Sequence, residues 1–441
     1  SVVKYIVKKI LYGFLVLFGV VTAIFFLFSA KPGDPALMAG GNHATAEVIQ
    51  NIRKDLGLDL PIIERYALYL NDLSPISIHN KNVTGSHLYL DTVKYDASVL
   101  MSFSENRVLV YKTPYLRRSY ETKRAVSDVV FEKLPNTVIL AFAAMFFATL
   151  IGIVLGILSA VNKGSFYDNS SFIIAVTGMS APSFFMATII STVGGLKWAE
   201  QMDLPAFPFM TFLLGLLIGM ITYFRENNKL SKTLKFSFKG LLTWGIKGFF
   251  IGAGVWVLYI IGFSIFNYGD LPLIGSTFPL PGTGLDPVGS LIGIDDFTGE
   301  DTYYWGNLIL PALTLGIRPL AIITQLTRSS LLDVLSQDYI RTAKAKGLSF
   351  YSIIFKHALK NALNPVITAV SGWFASLLAG AVFVERIFGW DGIGNELINA
   401  LQKDDLPIVM GTVIVISAFF VVINILVDIS YGFLDPRVRL S

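Results

Sequence analysis

Thr137 to Val161 read TVILAFAAMFFATLIGIVLGILSAV, twenty-five residues without one charge, and this run decides the fold class. A helix rises about 1.5 Å per residue and the hydrocarbon core of a bilayer is about 30 Å thick, so about 20 apolar residues cross it once. The phenylalanines here and elsewhere cluster in runs instead of recurring at strand or helix intervals, which makes lipid their natural solvent. Similar runs stand at roughly 10–30, 171–195, 206–224, 241–266, 307–328, 365–384 and 408–431. The chain is therefore expected to be an all-α polytopic membrane protein with eight spans.

Composition agrees. Of 441 residues 53% are hydrophobic and 15% charged, and the mean hydropathy is +0.61. A water-soluble fold could not hide that much apolar surface. The net charge of +4 has no basic stripe behind it, so no nucleic-acid partner is expected. With no cysteine and four scattered histidines, no metal site is expected either.

Loop charges predict the orientation. With the amino terminus in the cytoplasm, the inner loops hold Lys163, then Arg225, Lys229, Lys232, Lys235 and Lys239, then Arg341, Lys344, Lys346, Lys356 and Lys360, and finally Arg437 and Arg439. The loop 267–306 carries Asp270, Asp286, Asp295, Asp296, Glu300 and Asp301 without one Lys or Arg, as an outer loop should. Lys4, Lys8 and Lys9 before the first run resemble a signal peptide, but a run of about 20 residues exceeds a signal's apolar core of about 7–15 and predicts a retained helix. One segment breaks the charge pattern: Arg117, Arg118, Lys123 and Arg124 lie in the outer region 31–135. Within that region, 44–70 reads as short amphipathic helices interrupted at Pro61, and SHLYLDTVKY and NRVLVYK read as strands, giving a small external α+β region.

The stretch after the sixth run, SSLLDVLSQDYIRTAKAKGLSFYSIIFKHALKNALNPV from Ser329 to Val366, predicts a helix, a turn at Gly347 and a second helix ended by Asn364-Pro365. Small residues such as Ala343 and Ala345 would let such a surface element enter a partner's groove closely, and the surrounding basic residues suit an acidic rim.

YIRTAKAKGL followed by KHALKNALNPV resembles the coupling loop of ABC importer permeases, in the form used by the oligopeptide, dipeptide and nickel branch. Ala343, Gly347 and Leu359 match the general motif, while Arg341, Thr342, His357 and Lys360 depart from it as that branch does. Further blocks follow in the same order: KPGDPALMAG, IRKDLGLDLPIIERYALYL, VFEKLPNTVILA, SAPSFF, LILPALTLG and VDISYGFLDPRVR. The resemblance implies a type I permease core of six helices and no enzyme activity in this chain. It places Tyr339, Arg341, Thr342, Ala343, Ala345, Gly347 and Leu348 in a loop that couples to a separate ATPase. The implied partners are a second homologous permease, two ATP-binding subunits that hold ATP and Mg, and an extracytoplasmic solute-binding protein, with peptides as substrate and the bacterial inner membrane as location. No G-x-x-x-x-G-K-[ST] phosphate loop occurs in this sequence, so the nucleotide must be bound elsewhere.

The expected organisation is a first helix at 1–30, the external region 31–135, core helices 136–197, an inserted pair of spans 198–266, an acidic external loop 267–306, and a core segment 307–441 with the coupling loop at 329–364. Arg318 falls near the middle of the sixth run, where an unpaired charge costs roughly 2.5–3.5 kcal/mol. It either lines the pathway and meets a substrate carboxylate or pairs structurally, the second being the plainer reading. Lys247 should snorkel, Asn424 and Asp428 should serve helix packing, and Gly152 and Gly156 favour close helix approach. The loop 385–405 reads as a re-entrant or external element at the pathway mouth, or as a plain connection. A secondary transporter is the alternative function, but its coupling carboxylates are almost absent from the runs. An intramembrane hydrolase lacks its nucleophile and base.

Overall fold

The computed structural model describes residues 2–41, 44–200, 202–205, 211–219, 238–266, 277–280, 283–294 and 298–434. They form two compact units, Ser1–Ala141 with Phe374–Ser441, and Phe142–Trp373. Among the described residues four helices are long and apolar enough to cross a membrane singly: Ile6–Ser29, Val126–Val161, Trp305–Leu335 and Leu406–Val427. Two broken pairs, Tyr167–Ser180 with Ser183–Lys197 and Asn364–Phe374 with Ser376–Phe388, bring the number to six.

In the first unit the amino-terminal helix lies along the last one. Gly13 allows the approach, since a Cβ there would crowd Val421 and stand 3.1 Å from Ile425 Cδ1. The second span begins eleven residues earlier than its uncharged run, at Val126. Val126, Val129 and Val130 in this extension pack on Ile393, Ile408, Val409 and Val415, and this burial holds the helix through Pro135. The 385–405 segment is largely helical. It forms a ten-residue helix, Ile393–Gln402, tied to the second span by a buried carboxylate. Glu385, fully buried, accepts from Thr137 Oγ1 at 2.6 Å and from the amides of Gly394 and Asn395 at 2.7 and 3.0 Å. Trp390 Nε1 adds a bond to the Asn136 carbonyl at 3.0 Å.

Between the first two spans the chain folds as helices Ala46–Asp55 and Ile62–Leu73, the second capped by Pro61. A three-stranded antiparallel sheet follows, with β1 Ile76–Asn80, β2 Ala97–Ser102 and β3 Arg107–Lys112 in the order β1-β3-β2. NRVLVYK is β3 as its composition predicts. SHLYLDTVKY is not a strand, because Asp91 turns the chain by accepting from the Val93 amide at 2.8 Å and Tyr95 is drawn inward to Asp72, Oη to Oδ1 2.6 Å. Lys112 is buried beneath Tyr95, its ammonium 5.5 Å from the ring centroid and donating to the Ser74 carbonyl at 2.9 Å. Burial pushes it down to about 8.

In the second unit, the span expected at 171–195 is broken. Phe166–Ser180 and Ser183–Ile190 meet at a bend of 112°. The cause is local: Pro182 disfavours helical geometry at the residue before it, and Ala181 is extended with φ −73° and ψ 132°. The helix Ile309–Leu335 runs through the middle of the unit. Gly152 and Gly156 abut it so closely that an added Cβ would lie 3.1 Å from the Leu320 carbonyl or 2.9 Å from that of Thr324, the close approach their spacing predicts. Of the expected inserted spans, 241–266 lies within the helix Phe238–Phe266, and 211–219 is helical. Gly215 faces that helix at the Trp244 carbonyl, 2.6 Å from an added Cβ. Lys247 places its ammonium 5.0 Å from the Trp244 ring centroid. Arg225, Lys229, Lys232, Lys235, Asp270, Asp295, Asp296, Arg437 and Arg439 lie outside the described residues, as does the Asp428 side chain.

Candidate coupling site

The central helix of the second unit ends at Leu335, and Gln337, extended at φ −71° and ψ 152°, redirects the chain into a short helix, Asp338–Ala345. Its residues are mostly polar, so only one stripe of it can be buried. That stripe is Ile340 and Ala343, which pack against Leu331, Ile353, Ala358 and Ala362 and against Ala160 at the end of the second span. The helix stops because Gly347 takes the left-handed conformation at φ +74°, letting Leu348 N reach back to the Ala343 carbonyl at 3.3 Å. An added Cβ at Gly347 would meet nothing within 4 Å, so the demand for glycine is conformational.

Of the seven residues expected to couple, six face outward. Tyr339, Arg341, Thr342, Ala345, Gly347 and Leu348 are exposed. Tyr339 is steadied by Asn361, Nδ2 to Oη 2.9 Å, and among the described residues the Arg341 guanidinium pairs with Asp338 alone, at 3.3 Å. Ala343 departs from expectation, since the 3.6-residue period that buries Ile340 buries it too, at 7% exposure. Its small side chain fits the chain's own core and leaves Ala345 as the outward alanine.

Sequence reasoning missed the polar clamp above this element. Asp168, on the first turn of Phe166–Ser180, accepts both nitrogens of the Arg328 fork, from Nε at 2.5 Å and Nη2 at 2.9 Å. It also accepts from Ser159 Oγ at 2.5 Å and from the Gly164 amide at 2.7 Å. One carboxylate thus joins three helices and the loop between two of them, a bidentate geometry that only arginine supplies. Arg328 lies one turn before Leu331, so the clamp and the apolar seat of the short helix are contiguous. Arg318 differs. It is exposed and makes no hydrogen bond or ion pair among the described residues.

Residues 152–440 match the family described as the binding-protein-dependent transport system inner membrane component, and residues 2–83 match the amino-terminal domain of such membrane components. The chain belongs to this family. Its relatives match it almost from end to end. The dipeptide transport system permease protein of Escherichia coli is 29% identical over 422 residues, covering 96% of this chain and 94% of that protein. The protein of the same name from Alkalihalophilus pseudofirmus is 30% identical over 437 residues, 99% of each. A putative peptide transport system permease protein of Brucella abortus is 28% identical over 435 residues, 98% of each. This permease is thus a multi-pass inner-membrane subunit of an ABC importer with the type I permease fold, a component of a transporter, and nothing in the comparisons favours an ion-coupled carrier.

Proposed function

We propose that this permease forms half of a pathway for peptides and is driven through its Asp338–Leu348 segment by a separate ATP-hydrolysing subunit. The observation that carries the reading is the two-sided short helix: Ile340 and Ala343 bolt it to the membrane core, while Tyr339, Ala345 and Leu348 stay free for a partner. Peptides follow from the names of the relatives. A second permease would complete the pathway, two ATP-binding subunits would hold ATP and Mg, and a solute-binding protein would deliver cargo from outside. The loop charges support cytoplasmic termini, with 31–135 and 267–306 outside, and 198–266 is an insertion in the six-helix core. A cysteine at position 345 is expected to crosslink to a co-purified ATP-hydrolysing subunit, and one at 343 is not. Absence of the link from Ala345→Cys, or uptake that survives deletion of that subunit, refutes the assignment.

Arg318 faces the pathway in this reading, because an exposed mid-span cation is tolerable only against water, protein or an anionic cargo. A charge-assisted hydrogen bond to a peptide carboxylate is worth about 1.5–3 kcal/mol. Arg318→Ala should therefore lower uptake of a free-acid peptide about tenfold or more. Uptake of its C-terminally amidated form should hardly change. Equal effects on both peptides would return Arg318 to a structural role.

A further inference from the structure

The four external cations that break the charge pattern resolve into two groups. Arg118 donates to the Lys123 carbonyl at 3.1 Å, Lys123 to the carbonyls of Tyr120, at 2.6 Å, and Ala39, and Arg124 pairs with Glu132 at 2.6 Å. Arg117 has no hydrogen bond or ion pair for its guanidinium among the described residues. It is held with a left-handed backbone, φ +68°, that a non-glycine residue adopts only when its surroundings insist. That conformation sets its guanidinium 5.1 Å from the centroid of the Tyr69 ring, on the wall of a cleft of about 50 Å³. Arg65, from the helix Ile62–Leu73, lines the same cleft, and its guanidinium likewise has no hydrogen bond or ion pair among the described residues. Burial first, and the neighbouring Arg117 second, push Arg65 below its ordinary value. The neighbouring carboxylates are engaged elsewhere: Asp405 accepts from Ser119 Oγ and from the amides of Tyr120 and Glu121, at 2.9 and 3.4 Å, and Asp72 from Tyr95 Oη at 2.6 Å.

Two half-buried guanidiniums lining one cleft without an anion repel, so the arrangement is complete only when an anion fills it. The remaining walls say which kind. Phe28 and Ser29 close the first span and Leu406 and Met410 open the last, so the cleft sits at the membrane boundary with an apolar flank. Its volume admits roughly four water-sized atoms at 10–15 Å³ each, the size of a phosphate group. Arginine forks match phosphate oxygens in pairs. We propose that Arg65 and Arg117 form a binding site for the phosphate of an anionic membrane phospholipid, whose acyl chains run down the Phe28 and Leu406 flank.

The test uses the purified full-chain complex, stripped of lipid and titrated with dioleoylphosphatidylglycerol under native mass spectrometry. The Arg65→Gln/Arg117→Gln pair is expected to weaken the tightest lipid site about tenfold or more, and Arg118→Gln to leave it unchanged. In the lipid-free state the double variant should unfold at the same or a higher temperature than the wild type, since a repulsion has been removed. The single Arg65→Gln variant should show the same two trends at smaller size. Equal lipid affinity in the double variant, or a lower unfolding temperature of its lipid-free form, overturns the proposal. Inorganic phosphate that competes at the lipid's own concentration would assign the cleft to a free anion and overturn the lipid source.

Discussion

On the coupling proposed above, Asp168→Asn is expected to remove most uptake from reconstituted vesicles while the ATP-hydrolysing partner goes on turning over. The substitution leaves Arg328, whose side chain is 27% exposed, without its bidentate partner. Breaking a largely buried pair costs roughly 3–5 kcal/mol because the remaining charge is uncompensated. That energy is lost where the second span, the helix Phe166–Ser180 and the central helix are joined, directly above the seat of the short helix. A push delivered by a partner would then move the short helix without moving the spans. The discriminating quantity is peptide transported per ATP hydrolysed, which a plain loss of folded protein would leave unchanged. Exchanging the pair, Asp168→Arg with Arg328→Asp, should recover part of it. If Asp168→Asn lowers hydrolysis and uptake in proportion, the clamp is only structural.

Ile340→Asp should have the second largest effect. Ile340 is fully buried between the short helix and the core, and an unpaired carboxylate in such a place costs several kcal/mol, on the order of the whole apolar gain that holds the helix down. The segment is expected to lift from its seat, ending both uptake and the crosslink from Ala345→Cys, with the membrane helices still folded. Arg341→Ala, one residue on, removes only an exposed pair worth about 0.3–0.5 kcal/mol and should leave the anchoring intact. Wild-type coupling in Ile340→Asp would mean that the segment is not a mechanical link.

The contrast between positions 340, 343 and 345 shows how far the sequence could be read. The segment was legible from Ala343, Gly347 and the blocks around them. Its inward and outward faces were legible in principle, because Ile340 and Ala343 stand three residues apart and Ala345 does not share their side. The break at Ala181-Pro182 was equally available, since proline constrains the residue before it. Asp168 and Arg328 are a different matter. They are 160 residues apart in sequence, each sits near the end of an apolar run where a charge is unremarkable, and only tertiary packing brings them together. The same holds for Arg65 and Arg117, whose helix and loop meet without any local pattern announcing it. Strand pairing failed where Asp91 and Tyr95 outweighed β propensity, the one through a turn and the other through a buried hydroxyl.

The bend at Ala181-Pro182 carries one more implication. Helix ends leave amides and carbonyls with no intrahelical partner, and lipid offers none. A corner of 112° inside a membrane segment is therefore a place where fatty acyl chains cannot be the neighbours. Either water or a companion polypeptide has to stand there. The bend is in that sense a wet or protein-lined corner of the membrane segment, not a lipid-facing one.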